Sequence, residues 1–185
     1  YDAERFAQAT LDSLKDSANG LDQQSEAVAI GYYDLGNVIK EQKGDFVKAE
    51  MLVKESLRIR TSLYGADHKQ VVISAGLLAT ILQSQGNLGS ETKELHELSR
   101  VSYIKKFGPE GIYAAATTSN LGIFYYLQAE GSQTAALRKK NLLLSKSKYK
   151  EALRIYTKVH GPDNPRTIKD SSAFFLISRK LSELD

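Results

Sequence analysis

Three histidines are the only imidazoles in a chain of 185 residues that contains no cysteine. The missing thiols exclude disulfide scaffolds, cysteine nucleophiles and Cys-ligated metals. Metal or acid–base chemistry would need the imidazoles to converge. His68 and His160 fall at junctions between segments, and His96 sits mid-segment beside Glu94 and Glu97. All three are therefore expected at surface or helix-end positions. No phosphate-binding loop, dinucleotide glycine motif, nucleophile elbow or paired-histidine zinc motif occurs. Tyr32, Tyr33, Tyr103, Tyr113, Tyr125, Tyr126, Tyr149 and Tyr156 could stack on nucleic-acid bases. Their helical spacing reads instead as core and inter-helix filling. The oxygens of Asp67, Asp163 and Asn164, the last followed by Pro165, read as turn and N-cap chemistry rather than ligands. The residues call for no catalytic group, no metal and no cofactor.

Charge narrows the partners. The 25 bases against 22 acids leave a net +3, too small a balance to name a polyanion. The distribution is uneven: residues 1–30 hold six acids and two bases, whereas residues 131–160 hold eight bases against Glu151. Such a run is ordinarily a solvated face, but it can also dock an acidic protein surface or RNA. No apolar run approaches the 18 or so residues that span a bilayer. The absent cysteines and the lack of a signal-peptide pattern after Tyr1 predict an intracellular, cytoplasmic protein.

The elements that position these residues repeat. Gly65-Ala66-Asp67-His68, Gly108-Pro109-Glu110 and Gly161-Pro162-Asp163-Asn164-Pro165 each follow an aromatic residue or His. Their glycines lie 43 and then 53 residues apart, one period and one period plus an insertion. A weaker copy is Gly20-Leu21-Asp22. Between the loops, apolar spacing predicts helix pairs over 26–43 and 46–64, 71–85 and 88–107, and 112–129 with a helix ending at His160; a last helix covers 166–183. Gly65 is expected to end its helix in the left-handed conformation. About seven helices result. One pair cannot cover its own apolar stripe, so pairs must stack on their neighbours. Gly36, Ala49, Ala79, Gly122 and Ala152 are small enough for close helix crossings.

The insertion near 131–147 has no Pro or Gly from Thr134 to His160. It predicts one helix of roughly 27 residues, about 40 Å long. Its N-terminal half should project, display Arg138, Lys139, Lys140 and Lys146, and expose Leu137, Leu142, Leu143 and Leu144 to a partner.

Tyr33-Asp34-Leu35-Gly36-Asn37, Gly44-Asp45-Phe46, Ala49 and Ser56-Leu57 together resemble a tetratricopeptide repeat. So do Asn120-Leu121-Gly122-Ile123-Phe124-Tyr125-Tyr126 and Tyr149-Lys150-Glu151-Ala152-Leu153-Arg154-Ile155-Tyr156. With a period near 42 and the Gly-x-Asp loops, the chain resembles the kinesin light chain type of this repeat. The resemblance implies an all-α, right-handed superhelical stack of antiparallel helix pairs. It divides the chain into a partial repeat (1–25), repeats at 26–70, 71–111 and 112–165, and a terminal helix (166–185), all cut from a longer array. It implies a non-catalytic protein–protein scaffold or adaptor whose concave face takes a peptide or neighbouring subunit. That face is expected to carry Tyr33, Asp34, Asn37, Lys40, Glu41, Thr80, Gln83, Ser119, Asn120, Ile123 and Tyr126. Leu77 and Ala173 stand where the family usually has a peptide-holding Asn, so the row reads Asp34, Leu77, Asn120, Ala173. Two rivals follow: a structural subunit held in a large assembly by convex and end surfaces, and RNA binding through the basic 138–158 segment.

Overall fold

Glycines mark most helix ends among the described residues of this chain. Its structure, a computed structural model, describes residues 2–17 and 25–184. Eight helices follow one another there: α1 (Asp2–Ser17), α2 (Glu26–Lys43), α3 (Phe46–Tyr64), α4 (Lys69–Ser84), α5 (Ser90–Phe107), α6 (Ile112–Glu130), α7 (Ala135–His160) and α8 (Pro165–Ser182). That is one more than the expected seven, because α1 is a full helix. The Gly20-Leu21-Asp22 copy of the loop lies outside the described residues.

The caps explain the boundaries. The His68 imidazole accepts a hydrogen bond from Gln70 N–H, so α4 starts at Lys69, two residues earlier than its apolar spacing suggests. The Asn164 side chain accepts from Arg166 N–H, with Pro165 in the first turn of α8. Gly65, Gly108 and Gly161 share one backbone conformation, with φ/ψ of 79°/163°, 81°/165° and 82°/169°. This corrects the left-handed cap expected at Gly65. The positive φ is present, but ψ is extended, a combination only glycine adopts readily. Each glycine N–H closes the last turn of its helix, on Thr61, Ile104 and Thr157. The chain then leaves the helix sharply.

The described residues form two compact units, divided between Asn87 and Leu88. In the first, α1 to α4 pack antiparallel, each on the helix before it in the chain. A Cβ at Gly36 would lie 2.7 Å from Val53 Cγ2 and 3.2 Å from the Ala49 carbonyl, so α2 and α3 cross at a distance only glycine permits. Arg60 is buried between three helices. It donates to Ser74 Oγ (2.9 Å) and the Gln70 carbonyl (3.4 Å) on α4 and pairs with Glu26 on α2 (3.2 Å). A buried charge removed from such partners leaves them unsatisfied, at a cost of several kcal/mol.

The second unit repeats the plan with α5 to α8. A Cβ at Gly122 would lie 3.0 Å from the Tyr149 ring, and Ser145 Oγ donates to the Gly122 carbonyl (2.7 Å). Ala152 sits further along α7 and packs with Ala115, Ile155 and Tyr156. Thr92, near the start of α5, is buried.

Alanine at Gly65 or Gly108 meets nothing within 4 Å, so the effect of substitution is backbone strain alone. Each of Gly65→Ala and Gly108→Ala should destabilise its unit by about 1–3 kcal/mol in urea unfolding. Gly131→Ala, where φ is −84°, should be nearly neutral. Equal effects at all three positions would contradict the strain argument.

Candidate interaction surfaces

The eleven residues expected on one concave face divide between the two units. In the first unit, Tyr33, Asp34, Asn37, Lys40 and Glu41 lie on α2, and Thr80 and Gln83 on α4. The Arg60 guanidinium lies 5.3 Å from the Tyr33 ring centre. Burial pushes the Tyr33 phenol up, and Arg60 opposes this. The same two causes act on Asp34, where burial dominates and raises the carboxyl above its ordinary range. Lys40 and Glu41 form an ion pair with each other. The Thr80 hydroxyl turns back onto the Leu77 carbonyl (2.8 Å). Gln83 is buried rather than presented.

In the second unit Ser119, Asn120, Ile123 and Tyr126 lie on α6. Ser119 is buried, and its hydroxyl donates to Asp170 Oδ1 on α8 (3.0 Å). It ties two helices together, where a groove ligand was expected. Ile123 and Tyr126 are half-buried against the core of Ala129, Leu142, Tyr149, Ile177 and Leu181. Asn120 is half-buried.

The extended helix is present: α7 is 26 residues long, capped by the Thr134 hydroxyl on Leu137 N–H. Its expected projection is shorter than the sequence suggested. Leu142 is 1% exposed and packs against Ala129, Ile177 and Leu181. Asn141 and Ser145 are buried with it. Leu137 and Leu143 do remain open, Leu143 at 52%. Ala136, Lys139, Lys140, Leu143 and Leu144 line one shallow pocket. Leu137, Lys140 and Leu144 also line a second, with Lys93, Tyr125 and Gln128 from the neighbouring helices. Arg138 pairs with Glu130 (3.7 Å), which Lys180 also engages (3.1 Å). Lys146 lies over the Phe174 ring. Sequence reasoning missed Lys93, Tyr125 and Gln128, because only the fold carries them to α7.

His96 corrects a second expectation. It is 1% exposed on α5, with its ring edge-on to Phe124 at 6.2 Å. Desolvation pushes its pKa down to about 4. It is a neutral core imidazole and not a surface residue. Among the described residues no group of acidic or imidazole side chains could hold a metal. No described helix is long and apolar enough to cross a membrane.

Residues 27–91, from α2 into α5, match the sequence profile of the tetratricopeptide repeat. No curated protein sequence matches the chain. Among solved structures the chain is similar to the crystal structure of BtubC (BKLC) from P. vanneervenii. The TM-score is 0.61 at 12% identity, covering 98% of this chain and 72% of that one. At that identity the likeness is one of fold. The fold is all-α and tetratricopeptide-like.

The buried imidazole has a measurable signature. Its folded pKa, about 4, lies below the ordinary 6.5. Between the two values the unfolded chain takes up a proton that the folded chain refuses. The stability this residue permits is therefore complete above about pH 6.5, declines as the pH falls, and levels off below about pH 4, a loss of at most about 3 kcal/mol. In urea titrations the second unit should weaken over this window, and His96→Leu should flatten that part of the profile. A His96→Leu protein with the parent's pH dependence would show that other groups cause it.

Proposed function

We propose that the chain is a non-catalytic protein–protein interaction scaffold that docks an acidic, amphipathic partner helix or subunit on the N-terminal half of α7. One observation carries this reading: Leu137 and Leu143 stand open beside Ala136 and Leu144, rimmed by Lys93, Lys139 and Lys140. Covering one exposed leucine is worth roughly 1.5–3 kcal/mol. A basic rim accelerates encounter with an acidic surface in a salt-dependent way. Tetratricopeptide repeats generally mediate protein contacts, which supports the class of function. The 43-residue spacing and Gly-Asp loops favour the kinesin light chain type of repeat. The cytoplasm is the compartment this reading assigns. Capture from cell extract with the full-length protein, followed by mass spectrometry, identifies the partner. Leu143→Asp, or reversal of Arg138, Lys139 and Lys140 to Glu, should then reduce its capture at least tenfold with helix content unchanged. Undiminished capture by both variants would remove α7 from the interface. Loss of bound RNA instead of protein would favour the nucleic-acid reading.

A second reading keeps the inner helices as a peptide groove. It is favoured by Asn37 and Asn120, half-buried on α2 and α6 at the family's motif. Amides can both donate to and accept from a peptide backbone, and each such bond is worth about 1 kcal/mol. Asn120→Ala should therefore weaken a ligand held on α6 several-fold, and Asn37→Ala one held on α2. Unchanged affinity would move the ligand off that face.

A further inference from the structure

The junction between α5 and α6 carries three aromatic rings. Tyr103 and Phe107 on α5 and Tyr113 on α6 lie 5.3–6.1 Å apart, centre to centre, with their planes inclined by 20–40°. Phe107 is 47% exposed and Tyr113 54%. Helical spacing reads these rings as filling between helices, yet the repeat does not need them for that. In the first unit, 43 residues earlier, Tyr103 and Tyr113 correspond to Arg60 and Gln70, and Phe107 to Tyr64. There the buried Arg60 guanidinium donates to the Gln70 carbonyl and closes the gap with polar groups. The junctions after α3 and α7 carry ring pairs, Tyr64 with His68 and Tyr156 with His160. Three rings at the α5–α6 junction leave flat apolar faces in water, where burial would have been favourable.

Cations surround the rings. Lys105 and Lys106 stand exposed in the last turn of α5, and Lys106 Nζ lies 5.0 Å from the Phe107 ring centre. The loop that joins Phe107 to Tyr113 holds one acid, Glu110. Arg154 and Lys158, near the end of α7, both pair with that carboxylate. Four bases against one acid leave this surface positive. A ligand that complements it is anionic and carries flat apolar faces. The bases of a single-stranded polynucleotide stack on aromatic rings, and its phosphates pair with lysine and arginine. A duplex keeps its base faces within its own stack. The leucines at the other end of α7 suit an aliphatic helix face, whereas rings hold any base, because every base has a π-face.

We infer that the α5–α6 junction is a binding site for single-stranded nucleic acid, with bases stacked on Phe107 and Tyr113 and phosphates held by Lys105, Lys106, Arg154 and Lys158. The site is separate from the docking surface at the N-terminal half of α7 and does not depend on it. The experiment is fluorescence anisotropy of a labelled oligouridylate of about 12 nucleotides, within the range of such sites, with the full-length protein. Affinity should fall with salt at a log–log slope of about −2 to −3, as three or four phosphate contacts require. A blunt RNA duplex of the same length should bind about tenfold more weakly or worse. Phe107→Leu and Tyr113→Leu keep apolar cover but lose the flat ring. Each should weaken binding about tenfold and leave the salt slope unchanged. Phe107→Tyr keeps a ring and should bind more tightly than Phe107→Leu. Lys105→Gln with Lys106→Gln should instead flatten the slope by about 1.4. All four positions are exposed, and circular dichroism should show unchanged helix. A strand that does not bind, a duplex that binds as tightly, or leucine variants that bind like the parent each overturn the inference. Displacement of the strand by an oligoglutamate peptide of equal charge overturns it too, and makes the surface a dock for an acidic protein.

Discussion

The close crossing of paired helices at glycine is the constraint on which the rest of this structure depends. At Gly36 a single added carbon would fall 2.7 Å from Val53. At Gly122 it would meet the Tyr149 ring at 3.0 Å. Dispersion is short-ranged, so the contact exists only because the backbones come this near. The crossing sets which residues of α3 and α7 face inward. Through them it sets the height at which the next helix packs. Ser56 and Ser74, 3.1 Å apart in the first unit, meet because α2, α3 and α4 are held at these separations.

Polar groups then fix register inside an otherwise apolar stack. Arg60 joins α2, α3 and α4, and Ser119 joins α6 to Asp170 on α8. Burial raises the Asp170 carboxyl, and the Ser119 hydrogen bond is the first of the influences that oppose it. Apolar packing tolerates sliding by a residue or a turn, whereas a buried hydrogen bond does not. A slip would leave donors and acceptors unpaired at about 1–3 kcal/mol each. These contacts restrict the stack to one alignment even where they add little net stability.

Helix positions were legible because local chemistry marks them. Asn164-Pro165, Asp45 and the loop glycines signal ends through the first neighbouring turns, and α2 and α3 begin and end where the periodicity put them. Burial was less legible, since it depends on a third element remote in sequence. Leu142 and Leu143 are adjacent leucines in one run, yet only the first meets Ile177 and Leu181 of α8. Ser119 looked like a groove hydroxyl because its acceptor lies 51 residues on. His96 looked like a surface imidazole between glutamates until Phe124 of α6 was seen against it. The candidate surfaces were therefore half visible: the basic and leucine-rich stretch of α7 could be read directly, and the Lys93, Tyr125 and Gln128 that complete its pocket could not.

The extensive helix contacts within each unit join elements adjacent in the chain. Contacts of this kind need little loop closure, and low contact order speeds folding. During synthesis the chain emerges N-terminus first, at about 5–20 residues per second. The helices α1 to α4 hold the principal packing partners of their own unit, so they can reach their folded arrangement while α5 to α8 are still being made. Apolar residues such as Val53, which meets Gly36, then spend little time uncovered on the ribosome.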